Sequence, residues 1–284
     1  QLYIDDNQLT EAGEQVEAAA LIIKALEETH ASEVDLVEQL AEFHLKISQL
    51  FRAIDCNQLA DIHATNQLQI FRQLAAEHPG EPCFLVKHIQ ALTEHAESSA
   101  DRNDAARAQC HYEEAAASAL HAVGSFPDDL SVCRAREGLL WSRGHFHFDQ
   151  HDFPVALQLF DQATSLKSDT KHRPIHAWCL ALLKSDRAAR EIFRIAGSHS
   201  VDGPELIDFL SACGVAIANS HTAADAINIE TAAIAVLRGS VDAGCILRPT
   251  AMDKLNSRQE LAFLHRSSDT RQLLARLSPK LPAP

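Results

Sequence analysis

Two short runs of apolar residues with the same internal spacing lie in the middle of this sequence. Each run places a phenylalanine between two alanines at helical spacing, and the runs are 33 residues apart: Ala156, Phe160 and Ala163, then Ala189, Phe193 and Ala196. Small and large apolar residues that recur at this period are typical of paired antiparallel helices, which cannot bury their apolar faces alone. The spacing therefore predicts helix pairs that stack on neighbouring pairs.

The composition favours an all-α fold. Of the 284 residues only ten are glycine and 6% are aromatic, and runs of Val, Ile and Thr of the kind that strands prefer are scarce. An array of helices suits this length, because it grows by adding pairs and needs no single central core. We therefore predict an all-α chain of antiparallel helix pairs that stack as an α-solenoid.

Proline and glycine lie between the apolar-periodic segments rather than inside them, which indicates where helices end. A first helix is predicted at 10–29, and a second begins after Ser32, a good N-cap residue. The further predicted helices are 57–77, 83–99, 102–124, 130–151, 154–166, 173–184, 186–197, 204–219, 222–238, 250–266 and 268–278. Pro154 and Pro174 fall in first helical turns, which tolerate a missing N–H.

The clearest internal break is the His-Pro-Gly-Glu-Pro segment at 78–82, because neither proline can donate a backbone hydrogen bond. We expect a repeat-poor N-terminal helical segment at 1–78 that packs on a helical-repeat array at 83–278. A flexible tail is expected at 279–284. Because the chain begins with Gln1, we also expect that it is trimmed and that any N-terminal targeting signal lies outside it.

The segment 137–170 resembles the tetratricopeptide repeat. That repeat has a glycine on its first helix and an alanine, aromatic, alanine series on its second. With Gly144 on the first helix, Ala156, Phe160 and Ala163 fall on the expected positions without an insertion. The resemblance implies that Gly144 lets two helix backbones approach, while Phe160 fills the layer between neighbouring helix pairs.

A second copy of the repeat follows at 170–203. It keeps Ala189, Phe193 and Ala196, but it has Ala177 where the pattern has glycine. The N-terminal part of the chain shows no comparable repeat. The resemblance therefore covers the middle of the sequence.

The order of residues in these copies is also similar to that of the meiotic sporulation-type repeat family. The similar positions are Leu140-Trp141, Gly144, Ala156-Leu157, Ala177 to Leu180, Ala189 and Glu205 to Leu210. Members of that family are long scaffolds of synapsis-initiation complexes, which bind chromosome-axis and recombination proteins. The resemblance implies that this chain is a fragment of such a scaffold, although Leu159 stands where the family has an aromatic residue.

Trp141 and Trp178, the two tryptophans, both fall on first helices of predicted pairs. With Gly144 in register, Trp141 and His145 lie one residue off the packed stripe, on the side that lines the concave groove of such superhelices. Trp178 takes the same side one repeat later. Together with Phe148 they are expected to bind a partner helix or an extended peptide. The alternative is that both tryptophans fill space between helices.

Two histidine pairs have the i, i+4 spacing that brings both rings to one helix face: His147 with His151, and His172 with His176. Two such ligands can begin a zinc site, but no glutamate follows the first histidine as in metalloproteases. The sequence also has no phosphate-binding glycine loop and no Gly-x-Ser-x-Gly elbow. We therefore expect no metal, no cofactor and no enzymatic activity.

The formal charge of −14 argues against general binding to nucleic acid or anionic membranes, which requires clustered lysine and arginine. The apolar stretch at 18–23 is far shorter than the roughly 18 residues of a membrane span. Seven cysteines lie singly, at least 23 residues apart, which indicates free thiols in a reducing compartment. We expect an intracellular protein of the nucleus or cytoplasm.

The resemblance to the tetratricopeptide repeat implies a right-handed α-solenoid. We therefore predict a protein-interaction scaffold that binds a partner helix or peptide in the concave groove of this superhelix. The alternative is a helical-repeat receptor that binds a small ligand or a signal peptide. An open groove along the helices would support the scaffold, whereas an enclosed apolar pocket would support the receptor. The sequence leaves the identity of the partner and the oligomeric state open.

Overall fold

The computed structural model describes residues 34–53, 56–166, 173–197, 201, 203–245, 247 and 249–277. Within these residues the chain forms twelve α-helices and one 3₁₀-helix, so the all-α prediction is confirmed. The predicted helix at 10–29, the cap at Ser32 and the tail at 279–284 lie outside the described residues. None of the described helices combines the length and the apolar character that a membrane span requires.

The helices are numbered in chain order. The first five are α1 (Val34–Ala53), α2 (Asn57–Glu77), α3 (Pro82–Asp101), α4 (Ala105–Ser125) and α5 (Leu130–Asp149). The next five are α6 (Phe153–Ser165), α7 (Arg173–Leu182), α8 (Arg187–Gly197), α9 (Gly203–Ala218) and α10 (Ala223–Asp242). They are followed by α11 (Pro249–Ser257), the 3₁₀-helix (Gln259–His265) and α12 (Ser268–Leu277).

Local signals start several of these helices. Pro154 lies in the first turn of α6, where its missing N–H breaks no intrahelical bond. The Asp104 carboxylate accepts a hydrogen bond from the backbone N–H of Arg107 at the start of α4. The Thr222 hydroxyl accepts one from the N–H of Asp225 at the start of α10. Because such caps act within one turn, the sequence places the helix ends well.

The described residues group into two compact units that divide between Ser142 and Arg143, within α5. In the first unit α1 packs on α2, α2 on α3, and α3 on α4. In the second unit α6 packs on α7, α7 on α8 and α9, and α9 on α10. The helices of each unit thus pack in sequential, antiparallel pairs. The segment 78–82 joins α2 to α3, and its role as a domain boundary stays a prediction.

Each unit buries its own apolar side chains. In the first unit the most deeply buried include Ile89, Leu92, Ala96 and Tyr112. In the second unit one cluster unites side chains from α7 to α12, among them Leu180, Ile192, Phe209, Leu237, Leu264 and Leu277. Burial of each large side chain stabilises the fold by about 1.5–3 kcal/mol. The apolar cluster of the second unit packs α7 against α9, and these two helices carry part of the site described below.

The predicted repeat residues on α5 and α6 are buried. Ala156, Phe160 and Ala163 have 0% of their surface exposed, and Leu140 has 8%. The Phe160 ring lies directly over Gly144, so that a Cβ atom added there would be 2.6 Å from Cδ1 of Phe160. A side chain larger than that of glycine therefore cannot fit at this position unless the ring moves.

The second copy of the pattern is placed differently. Phe193 on α8 has 44% of its surface exposed, and Ala189 and Ala196 are half-buried. The most buried side chains of α8 include Ile192 and Ile195, with 0% and 4% exposed. The buried stripe is therefore rotated by one residue, because the two isoleucines offer more apolar surface than the alanines beside them. Phe193 does not fill the layer that the spacing predicts for it.

The predicted helix at 250–266 is not continuous. It ends at Ser257, Arg258 has extended backbone angles (φ −74°, ψ 124°), and the 3₁₀-helix follows. This break brings the Glu260 backbone against Gly214 of α9, where a Cβ atom would be 2.8 Å from the Glu260 carbonyl carbon. Packing on α9 thus overrides the helical periodicity of the segment, because helix propensity is a weak preference.

Candidate functional site

The side chains predicted to bind a partner are largely covered. Trp141 and Phe148 have only 2% and 7% of their surface exposed, while His145 and Trp178 are half-buried. The His145 ring meets the Phe160 ring edge to face, with the centroids 5.8 Å apart. Trp141 and Phe148 therefore contribute to packing, because burial of large aromatic side chains is strongly favourable. That these four residues bind a partner stays a prediction.

Phe148 and Trp178 are nevertheless brought together. Their ring centroids are 4.9 Å apart and the rings are tilted by 57°. The Arg258 guanidinium lies over the Trp178 ring, 4.5 Å from its centroid, which is a cation–π distance. Arg258 also donates a hydrogen bond of 2.9 Å to the Ser211 hydroxyl on α9. Sequence reasoning missed Arg258 and Ser211, because they are 47 residues apart in the chain and outside the repeat.

Asp208 of α9 belongs to the same neighbourhood. Burial raises its pKa to about 6, although the positive charges of Arg258 and Lys254 lower the pKa and the negative charge of Asp149 raises it. A carboxyl group with such a pKa beside a cation marks a candidate functional site. The sequence signal that could have found it is a single charged residue within the apolar run 206–217.

A second feature of this unit is a shallow, open surface depression of about 480 Å³ along one face of α6, called the α6 groove below. Its lining residues recur at the spacing of a helix face: Pro154, Leu157, Gln158, Asp161, Gln162 and Ser165. The groove is apolar near the start of the helix and polar near its end. Because it is open to solvent, it suits an elongated polypeptide better than a small molecule that must be enclosed.

Asp161 supplies the charge of this groove. Its two carboxylate oxygens accept hydrogen bonds of 3.0 and 2.7 Å from Arg187 of α8, and Oδ1 is 3.0 Å from Nε2 of His176 on α7. Burial raises the pKa of Asp161, but the hydrogen bonds from Arg187 and the nearby His176 outweigh this effect and hold the pKa below its ordinary value. The groove therefore contains an ionised carboxylate that is paired with Arg187.

Among the described residues, the candidate metal-binding histidines do not converge. His147 Nδ1 is 3.6 Å from the Asp152 carboxylate, and burial lowers the pKa of His147. His151 is exposed, His176 is bound to the groove carboxylate, and His172 lies outside the described residues. Across the described ranges, no group of three or more His, Cys, Asp or Glu side chains is placed to hold a metal ion.

The described chain is thus an all-helical protein whose helices pack in sequential pairs, with an aromatic–arginine contact and a surface groove in its second unit. No family model matches the sequence, and no curated protein matches it. The function of a helical scaffold depends on its sites rather than on its fold.

Proposed function

We propose that this chain is a non-catalytic protein-interaction scaffold of the tetratricopeptide type, with its helix pairs stacked as a right-handed solenoid. The packing in sequential pairs supports this proposal. The approach of the Phe160 ring to Gly144 supports it as well, because the repeat pattern requires a small residue under an aromatic one at this spacing. Stacked pairs expose extended surfaces to which a partner segment can bind.

The observation that carries the proposal is the open groove on α6. Pro154 and Leu157 supply apolar contacts, and Gln158 and Gln162 supply amide groups that can donate and accept hydrogen bonds. Both glutamine side chains are exposed, so they can reach a partner without movement of the helix. A partner helix or an extended peptide with apolar and polar groups fits this surface.

A receptor for a small ligand would require an enclosed apolar pocket, whereas the α6 groove is open. An open surface of this kind supports the scaffold, and the receptor stays the alternative. The resemblance to the meiotic sporulation-type family makes chromosome-axis and recombination proteins the first partners to test. It also makes the nucleus the first compartment in which to look for them.

A double variant of the groove tests this proposal. Gln158→Arg/Gln162→Arg places two long charged side chains across the groove at positions that are exposed. Asn228→Arg/Ala235→Arg is the matched control, because it adds the same side chains at exposed positions of α10. Circular dichroism establishes that both variants keep the wild-type helix content and unfolding transition.

The binding measurement has two stages. Quantitative affinity capture compares the partner proteins of the wild-type chain and of both variants, and titration calorimetry then measures the affinity of each purified partner. We expect at least one partner to bind the groove variant about tenfold or more weakly, a loss of about 1.4 kcal/mol. The control is expected to bind as the wild type does. Equal affinity of all three proteins for every partner would reject the groove as the binding surface.

A further inference from the structure

Two buried histidines face each other across the α1–α2 pair of the first unit. His44 and His63 have only 4% and 8% of their surface exposed. Their Nδ1 atoms are 2.8 Å apart and their ring centroids 5.1 Å. Phe51 stacks on the His63 ring at 5.7 Å, within a small apolar cluster that also contains Ile47 and Ala60. The histidine pair is therefore part of the packing surface that joins the two helices.

A single proton lies in the hydrogen bond between Nδ1 of His44 and Nδ1 of His63. One Nδ1 donates and the other accepts, so at least one ring is neutral. An imidazolium carries protons on both of its nitrogens. If both rings were charged, two N–H groups would point at each other across 2.8 Å. Double protonation therefore requires the two rings to move apart.

Charged groups on the surrounding helices have partners of their own. Glu38 and Glu42 of α1 both form ion pairs with Lys87 of α3. Asp61 of α2 forms an ion pair of 2.6 Å with Arg102. Burial lowers the pKa of His63 itself, and the nearby His44 lowers it further.

Two titratable groups of α3 also face α2. His95 contacts the backbone carbonyl of Ala64, and the Glu94 carboxylate accepts a hydrogen bond from Gln67. Burial lowers the pKa of His95 and raises that of Glu94, and the positive charge of Arg52 on α1 lowers both. The neighbouring carboxylates thus interact with other side chains.

We propose that His44 and His63 form a proton-operated latch between α1 and α2. At neutral pH the shared hydrogen bond keeps the latch closed. On acidification the second added proton breaks it, and the α1–α2 pair opens locally and exposes the apolar cluster around Phe51. This device lies in the first unit and is independent of the α6 groove, so either proposal can fail without the other.

The first test uses the unmodified chain. NMR titration of labelled histidines from about pH 8 to about pH 5 follows both rings across the ordinary histidine range. We expect His63 to titrate below the ordinary value of about 6.5, together with a change in the His44 signals. Independent titration of the two rings at ordinary values would overturn the latch.

The second test measures hydrogen-exchange protection factors, which remove the intrinsic pH dependence of exchange. In the wild-type chain we expect α1 and α2 to lose about tenfold in protection, relative to α4, for each pH unit below the ordinary histidine pKa of about 6.5, until the pair is mostly open. In the His44→Gln/His63→Gln variant, the protection of α1 and α2 relative to α4 should not change with pH, because glutamine can hydrogen-bond but does not titrate. His121→Gln, at an exposed histidine of α4, is the matched control and should behave as the wild type does.

Two outcomes of the exchange experiment would overturn the latch. One is constant protection of α1 and α2 in the wild-type chain over this pH range. The other is the same acid-induced loss in His44→Gln/His63→Gln, which would assign the loss to other groups. If the double variant does not fold, the NMR titration of the wild-type chain still decides the proposal.

Discussion

Phe160 of α6 covers Gly144 of α5 so closely that a methyl group does not fit between them. Gly138, two turns earlier on the same helix, has nothing within 4 Å of the position where a Cβ atom would lie. One helix therefore carries a glycine that packing requires and another that packing does not require. The close approach at Gly144 is a specific contact between the α5 and α6 segments of the second unit.

These two glycines predict opposite effects of the same substitution. Gly144→Ala should lower the free energy of unfolding by about 1–3 kcal/mol, because the new methyl group overlaps the ring. Gly138→Ala should raise it by up to about 1 kcal/mol, because alanine favours the helix and meets no neighbour. Urea unfolding followed by circular dichroism measures both. Similar effects of the two substitutions would contradict the close packing at Gly144.

The rotated stripe of α8 makes a second prediction. Ile192→Ala should lower the free energy of unfolding by about 2–5 kcal/mol, because it removes a fully buried side chain. Phe193→Ala should lower it by less, about 1 kcal/mol or below, because 44% of the surface of this side chain is already exposed. Thermal or urea unfolding of both variants checks the order. A greater loss of stability for Phe193→Ala than for Ile192→Ala would show that Phe193 is the core residue, as the sequence spacing predicts.

Asp208 makes the stability of the second unit depend on pH. Its pKa in the folded protein, about 6, is above its ordinary value of 3.8, so the folded state binds more protons between these values. The stability that protonated Asp208 contributes is fully present at pH values below its ordinary pKa and is lost as the pH rises through about 6. The contribution of Asp208 to stability should therefore be greater at mildly acidic than at neutral pH, whereas buried His176, whose pKa is lowered by burial, contributes in the opposite direction.

Asp208→Asn tests this pH dependence directly. Because the amide is never charged, the variant should gain about 1–2 kcal/mol in free energy of unfolding at neutral pH and should lose the acid stabilisation. Asp253→Asn, at an exposed position of α11, is the matched control. Urea unfolding at several pH values measures how the free energy of unfolding depends on pH in the wild type and in both variants. Parallel pH profiles for wild type and Asp208→Asn would show that Asp208 does not carry the effect.

The cysteines should divide into two classes toward alkylating reagents. All seven are free; Cys56 and Cys110 are exposed, while Cys179 and Cys213 are buried. Burial raises the pKa of the Cys179 thiol to about 12 and also raises that of Cys213, which suppresses the reactive thiolate. Iodoacetamide should therefore label Cys56 and Cys110 in the folded protein. It should label Cys179 and Cys213 only after unfolding. Peptide mass spectrometry reads the result, and labelling of Cys213 in the folded chain would disagree with the structure.

Much of the secondary structure follows from the sequence. The helix predicted at 57–77 is the observed α2 (Asn57–Glu77), and the break at 78–82 is the loop that follows it. Pro154 marks the start of α6 as expected. These features depend on turns, caps and proline geometry, which involve residues only a few positions apart.

The candidate site was predictable only in part. The repeat spacing directs attention to Trp178 and Phe148, and the structure brings these two rings together. The repeat spacing does not indicate that Arg258 covers the indole ring of Trp178, because that contact joins segments with no common pattern. The α6 groove was also missed, since residues such as Gln158 and Gln162 have the helical spacing of any solvated face.

The sequence by itself determined that this chain is helical and where most of its helices begin and end, because these properties are set within single turns of the chain. Tertiary structure alone decided which face of α8 is buried, where the segment 250–266 breaks, and that His44 meets His63. Each of these outcomes depends on how side chains from separate helices fill a shared core. That competition for buried space involves residues far apart in the chain, and no local pattern records it.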